Sequence, residues 1–145
     1  MTPVSRSKHP GGPEPAAARP VALVIEDDGV ISLELRLMLA RRGWRSMAAT
    51  NWEEAFLCWR RDRCDLLVVD GSLRDGEDGI ALARALTGDR PTPLVFVTAG
   101  PERVEDAGLT GVPVVAKPFI AREFLAAVER ALAAPAAAGR TARVA

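Results

Sequence analysis

The amino-acid sequence predicts an α/β fold in which helices cover both faces of a doubly wound, five-stranded parallel sheet. Four short runs rich in valine are apolar nearly throughout, which is typical of strands buried on both faces. Between these runs lie stretches whose apolar residues recur at helical spacing. Because strands and helices alternate, we expect parallel strands joined by right-handed crossovers.

Five segments are predicted to form the strands. The four apolar runs are VALVI (21–25), DLLVVD (65–70), PLVFVT (93–98) and VPVVAK (112–117). The fifth segment, WRSMAA (44–49), is more polar, so we expect it at an edge of the sheet.

The segments that follow each strand are predicted helices. The first is expected to start at Asp28 and to end at Gly43, and the third is expected to end at Gly88. Apolar residues recur every three or four positions in the first, third and last helices: Ile31, Leu35, Met38, Leu39, Ile80, Leu82, Ala83, Leu86, Phe124, Leu125, Val128 and Leu132. Thr50 and Glu53 stand at capping-box spacing and predict the start of the second helix.

The fourth helix is expected to be unusually short. Between Pro101 and Gly108 the chain has room for only about two helical turns. This segment is therefore predicted to be the least regular part of the fold.

The chain of 145 residues is predicted to hold one domain with two flanking segments. Residues 1–19 contain four prolines and two glycines and few large apolar side chains, so we expect a disordered N-terminal lead. Residues 134–145 are rich in alanine and are expected to form a flexible tail. The domain itself is assigned to residues 20–133.

Composition excludes several classes of function. Nineteen basic residues balance nineteen acidic ones, so no basic surface for nucleic acid is expected. No apolar stretch reaches the roughly 20 residues that a membrane span requires. The cysteines Cys58 and Cys64 lack partners at metal-ligand spacing, because His9 is the single histidine. We expect reduced thiols and a cytoplasmic protein.

Polar side chains follow four of the predicted strands at the point where each strand ends. Glu26 and Asp27 follow the first strand, Asp70 the third, Thr98 the fourth and Lys117 the fifth. Ligands of such sheets bind at the carboxyl ends of the strands. We therefore expect these five side chains to form one site.

The chemistry of these residue types indicates phosphoryl transfer. Three carboxylates repel one another, and Mg²⁺ is the cation that best relieves this repulsion while leaving room for phosphate oxygens. Asp70 can then act as a nucleophile towards phosphorus. Lys117 offers a positive charge and Thr98 a hydroxyl donor to the phosphoryl oxygens.

Four motifs, "VIEDD", "LLVVDGSLRDGEDGIALARAL", "VFVTAG" and "VVAKPF", occur in this order with near-family spacing. Together they resemble the receiver domains of bacterial response regulators in two-component signalling, over about residues 20–133. The resemblance implies a flavodoxin-like sheet with strand order 2-1-3-4-5. It further implies a stand-alone receiver without independent enzymatic activity, which signals through contacts with a downstream protein and forms a homodimer in some cases.

The resemblance also implies the roles of the site residues. A sensor histidine kinase or a phosphotransfer protein would donate a phosphoryl group to Asp70, assisted by Thr98 and Lys117. Mg²⁺ would be held by Glu26, Asp27, Asp70 and the backbone carbonyl of Ser72. The peptide bond between Lys117 and Pro118 is expected to be cis.

Three features depart from the usual receiver pattern. The loop "GSLRDGEDG" after Asp70 is longer, lacks a proline, and carries Asp75, Glu77 and Asp78, which favour a solvated turn over a second metal site. The fourth helix is short. Val114 stands where the family has a switch aromatic; Phe119 is a candidate substitute, although a packing role is preferred for it.

Three functions therefore stay open. The first is a phosphorylatable receiver, and the second is a receiver-like interaction module that has lost its switch. The third is a small phosphatase or a flavodoxin-like cofactor binder. A phosphatase would carry a second acid two residues after Asp70, where this chain has Ser72. The acidic turn "EDDG" disfavours a bound nucleotide or flavin, because its negative charge would repel a phosphate.

Overall fold

The structure, a computed structural model, describes residues 18–134 except for the side chain of Asp75. The predicted lead at 1–19 and tail at 134–145 lie almost wholly outside the described residues. The domain limits of 20 and 133 therefore stay predictions. Within the described residues, the helices are too short and too polar to cross a membrane.

Five parallel strands alternate with five α-helices, which confirms the predicted α/β class. The strands are β1 (Val21–Ile25), β2 (Arg45–Ala49), β3 (Leu66–Val69), β4 (Leu94–Thr98) and β5 (Val114–Ala116). The helices are α1 (Gly29–Ala40), α2 (Trp52–Arg61), α3 (Gly79–Asp89), α4 (Pro101–Asp106) and α5 (Ala121–Ala133). The strand order is β2-β1-β3-β4-β5, and every neighbouring pair is parallel. Both the order 2-1-3-4-5 and the edge position of β2 are thus confirmed.

Two apolar layers hold the sheet between the helices. Within β1, Leu23 and Ile25 pack in the layer formed with α2, α3 and α4, whereas Ala22 and Val24 pack in the layer formed with α1 and α5. Successive side chains of a strand point to opposite faces, so a strand covered on both faces has to be apolar at each position. This arrangement explains the unbroken valine-rich runs.

The start of α1 agrees with the sequence prediction, whereas the start of α2 and the end of α3 each differ from it by one residue. Asp28 caps α1, and its carboxylate accepts hydrogen bonds from the backbone N–H groups of Val30 and Ile31. The predicted cap Thr50 is wrong by one residue, because the side chain of Asn51 accepts the hydrogen bond from the Glu54 N–H instead. The helix α3 also continues one residue beyond Gly88.

The fourth helix is short, as predicted. It has six residues, starts with Pro101 and buries Val104. Gly108, just beyond its end, has a φ of 79°, a left-handed conformation that glycine adopts without strain. Residues 100–112 between β4 and β5 are called the α4 segment below.

Candidate functional site

The acidic residues meet because β1 and β3 are neighbours in the sheet. Ile25 is in register with Val69, and the Asp70 N–H donates to the carbonyl of Ile25 at 3.0 Å. Each strand then ends in a carboxylate, Glu26 on β1 and Asp70 on β3. Together with Asp27, they offer carboxylate oxygens that all lie within 4.8 Å of one another. We call these three residues the acidic cluster.

Lys117 reaches the acidic cluster from the end of β5. Its backbone N–H donates to the carbonyl of Thr98 at 2.9 Å, and its peptide bond to Pro118 is cis, as expected. The ammonium nitrogen lies 3.1 Å from Asp70 Oδ2, with which it forms a hydrogen bond, and 2.8 Å from Glu26 Oε1. The contact with Glu26 lacks hydrogen-bond alignment and is an ion pair.

The electrostatics of this group follow from its burial. The side chain of Glu26 is almost inaccessible to solvent, and burial raises its pKa to about 7; the charge of Asp70 adds to this effect, while Lys117 opposes it. Burial alone would lower the pKa of Lys117, but its contacts with Glu26 and Asp70 outweigh that effect and raise the pKa. The lysine therefore stays charged between two carboxylates.

The loop that follows Asp70 folds tightly against the start of α3. The Ser72 N–H donates to Asp70 Oδ1 at 3.0 Å, and the Gly79 N–H donates to the carbonyl of Gly71 at 3.1 Å. A Cβ atom at Gly79 would lie 1.8 Å from the carbonyl oxygen of Asp70. The backbone of Asp70 can take its present position only because residue 79 has no side chain.

Asp27 has a cationic partner that the sequence motifs did not mark. Asp27 Oδ2 accepts a hydrogen bond from the backbone N–H of Arg74 at 2.7 Å and lies 3.3 Å from its Nε. Arg74 begins a single 3-10 turn (Arg74–Gly76) in a loop whose sequence has no periodicity, so only its charge beside the predicted site could have suggested this contact. The Arg74 side chain is 76% exposed, and the pair is therefore easily opened.

Thr98 lies next to the residue that follows Asp70. Its side chain is buried, and its Oγ1 accepts a hydrogen bond from the Gly100 N–H at 3.1 Å. A Cβ atom at Gly71 would stand 3.4 Å from that oxygen. All five strand-end residues are thus brought to one edge of the sheet.

Two acids of the loop after Asp70, Glu77 and Asp78, accept hydrogen bonds from backbone N–H groups instead. Asp78 caps α3 by accepting from the Ile80 N–H, and Glu77 accepts from the Trp52 N–H at 3.0 Å. Within residues 18–134, the group of acids with the spacing of a cation site is the acidic cluster. These contacts favour the predicted solvated turn over a second metal site.

Val114, which stands at the position of the family's switch aromatic, and Phe119 both pack against the core. Val114 pairs with Phe96 and is half-buried. The ring of Phe119 packs against that of Phe124, with ring centroids 6.3 Å apart. Phe119 therefore occupies a packing position, which is the role preferred from the sequence.

The site as a whole can bind a cation and an anion side by side. The carboxyl groups of the acidic cluster outnumber the partly buried ammonium and the exposed guanidinium beside them, so oxygen ligands remain for a divalent cation. Ser72 N–H and the Lys117 ammonium both bind the carboxylate of Asp70. An anion placed at Asp70 would meet these donors.

Comparison with known proteins agrees with this geometry. Residues 22–129 match the family model described as response regulator receiver domain. The chain is 32% identical over 115 residues to the probable transcriptional regulatory protein TcrX of Mycobacterium tuberculosis, covering 76% of this chain and 49% of the relative. It is 30% identical over 117 residues to the phyllosphere-induced regulator PhyR of Methylorubrum extorquens, covering 76% and 42%.

A solved structure is similar over nearly its whole length. The solution structure of the PhyR response regulator REC domain from Erythrobacter litoralis superposes with a TM-score of 0.75 at 26% identity, covering 83% of this chain and 95% of that chain. By contrast, the chain spans half or less of the length of the curated relatives it matches. On the family match and these similarities, the chain belongs to the response regulator receiver domain family.

Proposed function

We propose that this receiver domain accepts a phosphoryl group on Asp70 from the phosphohistidine of a sensor histidine kinase or a phosphotransfer protein. The observation that supports this most is the setting of Asp70 itself. Its two carboxylate oxygens bind the Lys117 ammonium and the Ser72 N–H, and the side chain lies within the acidic cluster. A nucleophile, its positive neighbour and a cation-binding group are thus in contact.

In the proposed step, a carboxylate oxygen of Asp70 attacks the phosphorus of the donor. A phosphorus–oxygen bond forms, the phosphorus–nitrogen bond to the donor's imidazole breaks, and the imidazole leaves with the electron pair of that bond. Lys117 compensates negative charge on a phosphoryl oxygen, and the Thr98 hydroxyl donates to another. Hydrolysis of the acyl phosphate by water returns Asp70 to its carboxylate form.

The acidic cluster fits Mg²⁺. Glu26, Asp27 and Asp70 would hold the ion, with the backbone carbonyl of Ser72 as a further ligand. When bound, Mg²⁺ supplies positive charge against the phosphoryl oxygens. Arg74 now bonds to Asp27, and its exposure allows it to give way to the ion.

The proposed output is contact with a downstream protein, without direct binding of nucleic acid or membrane and without a separate enzymatic substrate. A homodimer is one form that such a contact can take. The function implies a cytoplasmic location, where a kinase domain or phosphotransfer protein presents its phosphohistidine.

Incubation with Mg²⁺ and acetyl phosphate, followed by intact-mass measurement, tests the proposal. We expect a mass increase of one phosphoryl group in the wild type and none in Asp70→Asn. Omission of Mg²⁺ should remove the adduct from the wild type. An adduct on both chains, or on neither, would contradict the proposed function.

A second candidate is a constitutive interaction module that does not switch. It is favoured by the six-residue helix α4 and by Val114 at the position of the switch aromatic. The two candidates differ in whether phosphorylation changes the α4 segment.

A further inference from the structure

We propose that Arg103, in the first turn of α4, binds the phosphoryl group on Asp70 and thereby couples that group to α4. In the unphosphorylated chain, its guanidinium contacts the loop that carries Ser72. After phosphoryl transfer, the guanidinium exchanges this contact for phosphoryl oxygens and draws α4 towards the site. The inference rests on the proposed function, because it requires a phosphoryl group on Asp70.

Arg103 contacts a residue that is itself hydrogen-bonded to the carboxylate that would be modified. Its Nη1 donates a hydrogen bond to Ser72 Oγ, and the backbone N–H of the same serine donates to Asp70 Oδ1 at 3.0 Å. A single residue therefore separates the guanidinium from Asp70. Its other terminal nitrogen, Nη2, lies 4.0 Å from Asp78 Oδ1, at the limit of an ion pair.

For the Arg103 guanidinium, a phosphoryl group is a stronger partner than the Ser72 hydroxyl or the Asp78 carboxylate. The Ser72 hydroxyl is neutral, and hydrogen bonds from guanidinium to phosphate are shorter, stronger and commonly bidentate. The side chains of Arg103 and Asp78 are 47% and 48% exposed, so water and salt weaken their attraction. An acyl phosphate carries roughly two negative charges, where the Asp70 carboxylate carries one. The exchange of partners is therefore favourable.

A movement of the guanidinium would be transmitted to α4. The Arg103 N–H donates to the carbonyl of Gly100 at 3.1 Å, and the Gly100 N–H donates to Thr98 Oγ1 at 3.1 Å. The turn that carries Arg103 is thus hydrogen-bonded to the threonine proposed to bind the phosphoryl group. Of the six residues in α4, Val104 is the buried one, so little packing resists a shift. This coupling needs no aromatic side chain at Val114.

A matched control is available in the same region. Arg84 on α3 also reaches α4, where its Nη2 donates to the carbonyl of Ala107. It makes a similar bridge between two elements but contacts the C-terminal end of α4. Replacement of Arg84 therefore removes an equal charge and a contact to α4, while the loop that carries Ser72 keeps its contacts.

The experiment uses amide NMR spectra of the full chain with Mg²⁺, before and after addition of beryllofluoride as a phosphoryl mimic. We expect the amides of residues 70–72 to shift in the wild type, Arg103→Gln and Arg84→Gln. The amides of residues 102–107 should shift in the wild type and Arg84→Gln and should lose this response in Arg103→Gln. Arg103→Lys keeps the positive charge but loses the planar guanidinium, so it should retain part of the response of residues 102–107.

Two results would overturn the inference. One is an equal response of residues 102–107 in Arg103→Gln and the wild type, and the other is a wild type in which only residues 70–72 respond. The second result would also favour the module that does not switch. If residues 70–72 failed to respond in the wild type, the proposed function itself would fall, and the inference with it.

Discussion

The acceptor edge, formed by Glu26, Asp27, Asp70 and Lys117, differs sharply from the α4 segment. Glu26 and Asp70 are buried, and they follow paired central strands. The α4 segment has a helix of six residues, and its ends are joined to neighbouring elements by two exposed arginines, Arg84 and Arg103. The acceptor edge is fixed by central strands, whereas the α4 segment combines three buried apolar side chains with polar contacts at the surface.

This difference suggests a division of roles. Buried strands hold charged groups at fixed distances, which phosphoryl transfer requires. Polar surface contacts can be exchanged at little cost, which a response to phosphorylation requires. The residues that are typical of the family's site therefore lie in the rigid part, and the shortened helix lies in the adaptable part. The following changes would break or sharpen this contrast, and they run from the largest expected effect to the smallest.

The largest effect is expected from Lys117→Met. Loss of the ammonium leaves Glu26 and Asp70 without their cation and removes a partner of the phosphoryl oxygens. We expect the rate of Asp70 phosphorylation by acetyl phosphate to fall about a hundredfold, as for loss of one electrostatic donor in an active site. Lys8, the other lysine of the chain, provides the control, since Lys8→Met should phosphorylate normally. Equal rates in both variants would contradict the role of Lys117.

Gly79→Ala should damage the acceptor edge through its backbone. The added methyl group would overlap the Asp70 carbonyl oxygen, so the loop has to shift. We expect a loss of about 1–3 kcal/mol in the free energy of unfolding, the usual cost of overpacking, together with slower phosphorylation. The matched control is Gly88→Ala in the same helix, where the Cβ meets no atom within 4 Å. It should raise stability by about 0.5–1 kcal/mol. Denaturant titration distinguishes the two, and a stable Gly79→Ala would show the close contact to be harmless.

The same truncation placed in each region measures how strongly each is held. Val68 in β3 and Val104 in α4 are both 1% exposed. We expect Val68→Ala to reduce the free energy of global unfolding by about 2 kcal/mol, from lost burial and a residual cavity. Val104→Ala should cost less than half of this and should speed hydrogen exchange mainly within residues 102–107. Similar global losses in both variants would remove the contrast between the regions.

The smallest effect is the stabilisation by Mg²⁺. A cation bound only by the folded chain should raise the free energy of unfolding by about 1.4 kcal/mol at ten times its dissociation constant. Asp27→Asn should weaken this increase, because it removes one of the three carboxylates. Asp106→Asn, an exposed acid of α4, should leave it unchanged. Thermal melts with increasing Mg²⁺ provide the measurement, and an equal response in all chains would indicate binding elsewhere.

The sequence predicted the rigid region better than the adaptable one. Apolar runs and the charged residues at their ends located β1, β3 and the acidic cluster, because burial on both faces leaves a clear pattern. The contacts of Arg74 and Arg103 could not be predicted, since they depend on loop geometry and long flexible side chains. The sequence predicts Thr50 as the cap of α2, whereas Asn51 is the cap, because both residue types cap helices well and the Thr50 hydroxyl donates to Glu54 Oε1 instead.

The most direct test is to locate the phosphoryl group on the chain. After reaction with acetyl phosphate and Mg²⁺, borohydride reduces an acyl phosphate of aspartate to homoserine, which peptide mass spectrometry can assign to one position. We predict homoserine at residue 70 alone, and none without Mg²⁺. Modification at Asp27 or in the loop after Asp70, or no modification at all, would contradict the central claim that Asp70 is the acceptor.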